Sequence, residues 1–146
     1  GAWITADPDA EKLALDVSDR EHNNNARALV RIVKCWRRHC NVPIKSFYLE
    51  LLVCEFLPTC SWRTFGLYFY DWIVRDFFRF LVTKSNAWVF APGTHEAMNI
   101  GEGWLPRAET ALARAEKACE YETADLISLA GVEWQKIFGP AIPESV

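Results

Sequence analysis

The five cysteines of this chain form no Cys-x-x-Cys pair, and their odd number does not suit a disulfide framework. Most of them lie in apolar, periodic segments, which is typical of buried thiols in a reducing compartment. No segment has the composition of a signal peptide. We therefore expect a cytoplasmic protein.

The sequence also lacks an uninterrupted apolar run long enough to cross a bilayer. Its most apolar stretch, Phe65 to Val82, is interrupted every few residues by Asp71, Arg75, Asp76 and Arg79. Such spacing predicts a buried amphipathic helix. We expect no membrane partner.

Catalytic and metal-binding patterns are missing as well. The three histidines, His22, His39 and His95, do not lie at a catalytic spacing from a serine or cysteine, which argues against a hydrolase. His39 and Cys40 are adjacent, so they point to different helix faces, and no second ligand pair accompanies them. We predict no catalytic residue and no metal ligand in this chain.

The charges are distributed unevenly, since the longest run of basic residues without an acidic one lies in the first third of the chain. The formal net charge is −3, and acidic residues predominate in the last third. A protein that coats a polynucleotide is normally basic overall. We therefore do not expect nucleic acid as a partner.

Hydrophobic and aromatic residues are abundant. They make up 51% and 14% of the 146 residues, which indicates one densely packed core. Apolar periodicity and helix breakers predict an all-α fold, a compact bundle of about six helices that forms a single domain over residues 1–146. The expected helices span Asp9–Arg20, Asn25–Cys40, Pro43–Leu57 and Ser61–Thr83, then a helix from Leu105 to about Glu120 and a last one ending at Phe138, with a short extended piece at Trp88–Phe90.

The second predicted helix has two stripes on different faces. Its apolar residues recur at spacings of three and four, namely Leu29, Ile32, Val33, Trp36 and Cys40. Its basic residues recur in the same way, namely Arg27, Arg31, Lys34 and Arg38. No Asp or Glu lies between Ala26 and Phe47, so an exposed basic strip is expected. A solvated helix face is the common explanation of such a strip.

The next helix is predicted to begin near Pro43, because proline has a fixed φ and is tolerated in a first helical turn. Ser46 and Phe47 then lie in that turn, where unpaired N–H groups and the helix dipole favour phosphate oxygens. The ammonium of Lys34 suits the same phosphates. Phe47 offers a π-face for a base. By residue type alone, however, the pattern favours a core stripe with Leu51 for Phe47 and only a supporting role at the helix start for Ser46.

Two motifs resemble a known family. Val-Lys-x-Trp at Val33–Trp36, followed by a turn and Ser-Phe-x-Leu-Glu-Leu-Leu at Ser46–Leu52, is similar to the start of the C-terminal helical domain of nucleotidyltransferases of the oligoadenylate synthetase and cyclic GMP-AMP synthase type. The tail resembles the closing segment of their bacterial relatives, the CD-NTases, at Ala130, Trp134, Lys136–Gly139 and Pro143. The resemblance spans Asp7 to Pro143.

The resemblance implies roles for individual residues. By position, Lys34 and Ser46 match residues that contact the phosphates of the nucleotide, and Phe47 matches a ring that stacks on its base. Glu50 matches a family glutamate, for which a structural ion pair with a neighbouring arginine is the simplest role. Secondary candidates are Arg31 and Arg38 of the basic strip and Asn99, which begins an Asn-Ile-Gly sequence that no Asp-Pro pair precedes.

Family catalysis uses two metal ions held by three carboxylates after a Gly-Ser turn, and this chain has no Gly-Ser. The resemblance thus implies the C-terminal, nucleotide-binding half of a nucleotidyltransferase, inactive by itself, whose N-terminal catalytic half holds Mg²⁺. The complete enzyme would make cyclic or linear oligonucleotide second messengers in anti-phage defence. Expected partners are nucleoside triphosphates such as ATP, the catalytic half, and further copies that associate through the exposed face bearing Ser46 and Phe47. The alternatives are a free-standing helical interaction module of the same fold and the C-terminal domain of a tailing polymerase.

Overall fold

The computed structural model describes residues 10, 13–14, 17, 25–60 and 70–140. The helix expected over Asp9–Arg20 lies mostly outside these residues, and so do residues 61–69 of the helix expected over Ser61–Thr83. Both of these expected helices are therefore described only in part.

The described chain is mostly helical and also contains a small sheet. In chain order it forms α1 (Asn25–His39), α2 (Ser46–Phe56), a 3₁₀ turn (Leu57–Thr59), α3 (Tyr70–Leu81), β1 (Trp88–Phe90), β2 (Ala97–Asn99), α4 (Leu105–Thr123) and α5 (Ile127–Phe138). No helix in these ranges is long and apolar enough to span a bilayer.

An aromatic cluster at the junction of α1, α3 and α5 forms the centre of the core. Trp36 of α1 meets Phe78 of α3 edge to face, with ring centroids 5.0 Å apart. Phe78 also stacks on Phe138 of α5 at 6.3 Å. Leu29, Val33 and Trp36 are fully buried, which confirms the apolar stripe predicted for α1. These contacts fix the orientation of α1, whose other faces remain at the surface.

Small side chains allow α4 to approach α3 and α5 closely. The alanines at positions 108, 111, 115 and 118 are all buried. The helix ends at Thr123 because Asp125 adopts a left-handed conformation with φ of 61°. The N–H of Leu126 then donates to the carbonyl of Tyr121 at 2.7 Å, which gives a Schellman-type end.

That turn overturns one prediction about α5. The apolar spacing of Leu126, Ala130, Trp134 and Ile137 in the sequence predicts one buried stripe for this helix, but the side chain of Leu126 is 46% exposed. It lies before the first helical residue, Ile127, and its backbone closes the end of α4. The rest of the predicted stripe, Ala130, Trp134 and Ile137, is buried as expected.

The start of α2 also differs from the prediction, because the helix begins at Ser46 and not near Pro43. The N–H of Ile44 donates to the carbonyl of Val42 at 2.8 Å, which makes a tight turn. The carbonyl of Ile44 accepts from the guanidinium of Arg37 and is not available to the helix. Ser46 is therefore the first residue of α2 and Phe47 the second.

The expected extended piece at Trp88–Phe90 is confirmed, but it has a partner strand that was not predicted. β1 pairs with β2 in an antiparallel hairpin in which Trp88 lies opposite Asn99. Val89 and Met98 point inward and are buried, and β1 packs along α2. The fold is therefore helical with one small hairpin, and not purely α.

Candidate functional site

Lys34 and Glu50, two of the residues singled out in the sequence, meet at the corner between α1 and α2. The Nζ atom of Lys34 lies 2.5 Å from Oε1 of Glu50. The two side chains are 30% and 22% exposed, so the ion pair is largely screened from water. The expectation that an arginine would pair with Glu50 is wrong, because the side chain of α1 that reaches Glu50 is Lys34.

This ion pair brings the Lys34 ammonium toward the start of α2. Glu50 and Ser46 are four residues apart, so they lie on the same face of the helix. Helical side chains lean toward the N-terminus, which directs the Glu50 carboxylate toward the first turn. Lys34 and Ser46 therefore lie on one surface although they are 12 positions apart in sequence.

The first turn of α2 offers several hydrogen-bond donors. Its N-cap residue is Lys45, whose side chain makes no capping bond, and the first turn contains no acidic residue. The backbone N–H groups of Ser46 and Phe47 precede the first intrahelical bonds, which begin with Tyr48 and Leu49 donating to the carbonyl of Lys45. Free N–H groups, a positive dipole end and a serine hydroxyl together suit an anionic group.

Phe47 occupies an intermediate position between core and surface. Tyr48, Leu49 and Leu52 are buried and fill the core, as the stacking assignment requires. Phe47 itself is half-buried against the edge of that core, and its ring centroid lies 6.5 Å from that of Tyr48. One part of the ring therefore packs while another remains accessible.

The secondary candidates are placed differently from one another. Arg31 and Arg38 are exposed on α1, about one turn before and one turn after Lys34. The amide of Asn99 instead donates to the carbonyl of Asn86 at 2.8 Å and accepts from the N–H of Gly101 at 2.8 Å. The nitrogen and the oxygen of this amide thus hold the hairpin to the turns on either side of it. No described contact brings the Asn99 side chain to the α1–α2 corner.

One residue that positions this corner was missed by the sequence reasoning. Arg37 lies outside the basic strip, and its Nε donates to the carbonyl of Ile44 at 2.5 Å. That bond fixes the turn before Lys45 and hence the residue at which α2 begins. The sequence gives only a weak signal for this role, because any arginine seven residues before a turn could make the same hydrogen bond.

The described residues do not fit a two-metal centre. Within those ranges, no group of three or more His, Cys, Asp or Glu side chains could hold a metal ion. The thiols beside His39 have other partners, since Cys35 donates to the carbonyl of Phe138 at 3.2 Å and Cys40 to that of Ile137 at 3.4 Å. These thiols satisfy carbonyl groups at the end of α5.

Exposed aromatic side chains lie on the hairpin that packs along α2. Trp88 and Phe90 are 60% and 61% exposed and share the outer face of β1. The turn that follows the hairpin approaches the start of α2, since a Cβ added at Gly103 would lie 3.9 Å from Pro43. An exposed apolar surface therefore lies on the outer face of the hairpin next to α2.

No protein-family model, curated protein or solved structure matches this chain. The arguments for function therefore rest on the two motifs and on the geometry of the α1–α2 corner.

Proposed function

We propose that this chain is the nucleotide-binding C-terminal half of a nucleotidyltransferase of the oligoadenylate synthetase and cyclic GMP-AMP synthase type, most similar to the bacterial CD-NTases. The complete enzyme would join nucleoside triphosphates into cyclic or linear second messengers for anti-phage defence. The principal support is the ion pair between Lys34 and Glu50, because Glu50 lies one turn after Ser46 in a helix whose N-cap residue makes no side-chain capping bond.

In this proposal the triphosphate lies across the start of α2. The Lys34 ammonium has three N–H donors, of which one bonds to Glu50 and the others are directed to phosphate oxygens. The Ser46 hydroxyl and the first N–H groups of α2 donate to the same phosphates. The accessible part of the Phe47 ring stacks on the base without selecting its identity.

Glu50 has a positioning role in this arrangement. Its carboxylate restrains the flexible lysine side chain, which lowers the conformational entropy lost when a phosphate binds. The same carboxylate also repels phosphate, so its net effect on affinity is smaller than that of Lys34. Mg²⁺ and the three carboxylates that hold it belong to the catalytic half, and the residues of this chain take part only in binding and orientation.

The proposal is tested on the complete natural protein. The coding sequence upstream of Gly1 should encode a Gly-Ser turn followed by Asp-x-Asp, and the purified product should convert ATP or GTP with Mg²⁺ into short oligonucleotides. Long homopolymer tails on an RNA primer would favour the tailing polymerase. An upstream sequence without that motif, together with no nucleotide consumption, would contradict the proposal.

A free-standing interaction module is the second candidate, and the exposed Trp88 and Phe90 favour it. Exposed apolar surface of this kind usually marks an interface. In the nucleotidyltransferase these residues face the catalytic half or another copy, whereas in the module they bind a separate protein. Trp88→Ser should therefore reduce catalytic output or self-association in the first case and weaken binding of that separate protein in the second.

A further inference from the structure

Two carboxyl groups meet where the start of α3 packs against the end of α4. The side chain of Asp71, the second residue of α3, is hydrogen-bonded to the side chain of Glu122, which is next to the last residue of α4. A carboxylate has no hydrogen to donate, so this bond requires a proton on one of the two groups. The pair therefore holds a proton that two separate carboxyl groups would lose well below neutral pH.

A third helix contributes a donor to the same pair. Nε1 of the buried Trp134 in α5 donates to Oε1 of Glu122 at 2.8 Å. A hydrogen bond to a carboxylate favours its ionised form, so the proton lies on Asp71 and Glu122 is the acceptor. The charged residues of α5 next to this indole, Glu133 and Lys136, are bonded to each other at 3.2 Å. Glu122 thus connects α4 to α3 and to α5.

The other ionisable groups near the pair do not neutralise it. Arg75 lies one turn after Asp71 on α3, and its Nε is bonded to Oδ1 of Asp76 at 3.0 Å. The thiol of Cys119 on α4 donates to the backbone carbonyl of Asp71 at 3.9 Å, and burial raises the pKa of this thiol to about 12, so it stays protonated. Burial, together with the hydrogen bond to Glu122 and the charge of Glu122, raises the pKa of Asp71 to about 8.

The end of α4 leads into an exposed segment. Residues 123–129, which directly follow Glu122 and include the turn into α5, are all exposed. A segment with so little burial opens at a low free energy. On its other side, α4 borders a cleft of about 310 Å³ whose lining includes Arg75, Cys119 and Thr123. The bonds of Glu122 are therefore well placed to decide whether the last turn of α4 stays against α3.

We propose that Asp71 and Glu122 form a proton-operated latch, which holds the end of α4 against α3 while the two groups share a proton and releases it when that proton passes to solvent. After this loss, two carboxylates lie side by side in a half-buried place. Their repulsion and their need for water then separate the two helix ends and widen the cleft. The stacked rings of Trp36, Phe78 and Phe138 are not part of the latch, so the core stays folded. The latch does not depend on the nucleotide site proposed above.

The indole N–H signal of Trp134 tests this proposal, because that group is bonded to the latch. NMR follows this signal from about pH 6 to about pH 9, together with the backbone amides of Leu29 and Val33 on the buried face of α1. The Trp134 signal should shift with a midpoint at about pH 8, while both α1 amides keep their positions. A Trp134 signal that does not titrate would overturn the proposal. Simultaneous loss of all three signals would also overturn it, since that result indicates global unfolding.

Variants of the pair show whether the titration belongs to the latch. Asp71→Asn supplies an N–H donor to Glu122 at every pH and should abolish the transition. Glu122→Gln removes the neighbouring charge and should lower the midpoint by about one pH unit or more, which keeps the test decisive if Asp71→Asn does not fold. Asp125→Asn is the matched control, because it removes the same charge from an exposed, left-handed residue that asparagine tolerates, and it should keep the wild-type midpoint. A wild-type transition in Asp71→Asn, or an unchanged midpoint in Glu122→Gln, would overturn the proposal.

Discussion

The ion pair between Lys34 and Glu50 makes separable predictions for stability and for binding. Both side chains are less than a third exposed, so Lys34→Ala leaves a partly buried carboxylate without its partner. Loss of that partner should lower the free energy of unfolding by about 1–3 kcal/mol. Glu50→Gln leaves an amide oxygen for the ammonium and should lower it by only about 1 kcal/mol.

The double variant removes the unpaired charge. Lys34→Ala with Glu50→Gln should be more stable than the sum of the single effects, with a coupling of about 1–2 kcal/mol. If the free energy of unfolding falls by about 2 kcal/mol for each molar of urea, this coupling corresponds to a shift of about 0.5–1 M in the urea midpoint of unfolding. Urea unfolding of the four proteins measures it.

Nucleotide affinity should follow only one of the two residues. Lys34→Ala, alone or with Glu50→Gln, should weaken ATP or GTP binding to the complete protein about tenfold to a hundredfold, because a charge-assisted phosphate contact contributes about 1.5–3 kcal/mol. Glu50→Gln alone should leave the affinity unchanged or raise it, since it removes a repulsive charge. Lys34→Ala variants that bind as tightly as the wild type would refute the assignment and make the ion pair purely structural.

Three further predictions concern other parts of the molecule. Phe47→Ala should weaken nucleotide binding by about 1–3 kcal/mol. If thermal melts show a loss of stability larger than this loss of binding, the half-buried ring is a core residue and not a stacking surface. Burial, and the hydrogen bond that protonated Asp71 donates to the carboxylate of Glu122, raise the pKa of Asp71 to about 8. The stability that this proton provides is therefore complete below about pH 4 and is lost as the pH rises to about 8. The free energy of unfolding of the wild type, measured with urea, should therefore decline by up to about 1.4 kcal/mol per pH unit between these values. Asp71→Asn should remove this decline, and an unchanged slope of the free energy against pH would contradict the prediction. Gly139→Ala should lower the free energy of unfolding by about 1–3 kcal/mol, because Gly139 has φ of 87° and an added Cβ would lie 2.9 Å from Nδ1 of His39. A thermal melt equal to that of the wild type would contradict this prediction.

The parts of the fold that were predicted correctly depend on local periodicity. Helix α1 was expected over Asn25–Cys40 and spans Asn25–His39, because two complementary stripes repeat along its length. The predicted end of α5 at Phe138 is also correct, because Gly139 and Pro140, which follow it directly in the sequence, form a local signal for the end of a helix.

The parts that were missed depend on contacts between distant residues. The start of α2 was displaced to Ser46 by the bond from Arg37, and β2 exists because it pairs with β1. Three residues are too few for an alternating pattern to be recognised. The partner of Glu50 depends on how α1 crosses α2, which no spacing within either helix reveals.

The most direct test of the central claim is an ATP titration of this chain followed by the backbone amide signals of Ser46 and Phe47. The isolated chain should bind weakly, because in the proposed enzyme one wall of the site and the metals would belong to the catalytic half. Both amides should shift at millimolar ATP, while the signal of Lys117 stays unchanged and the Lys34→Ala/Glu50→Gln variant shows a much smaller effect. Unmoved Ser46 and Phe47 signals at saturating ATP would contradict a nucleotide site at the α1–α2 corner.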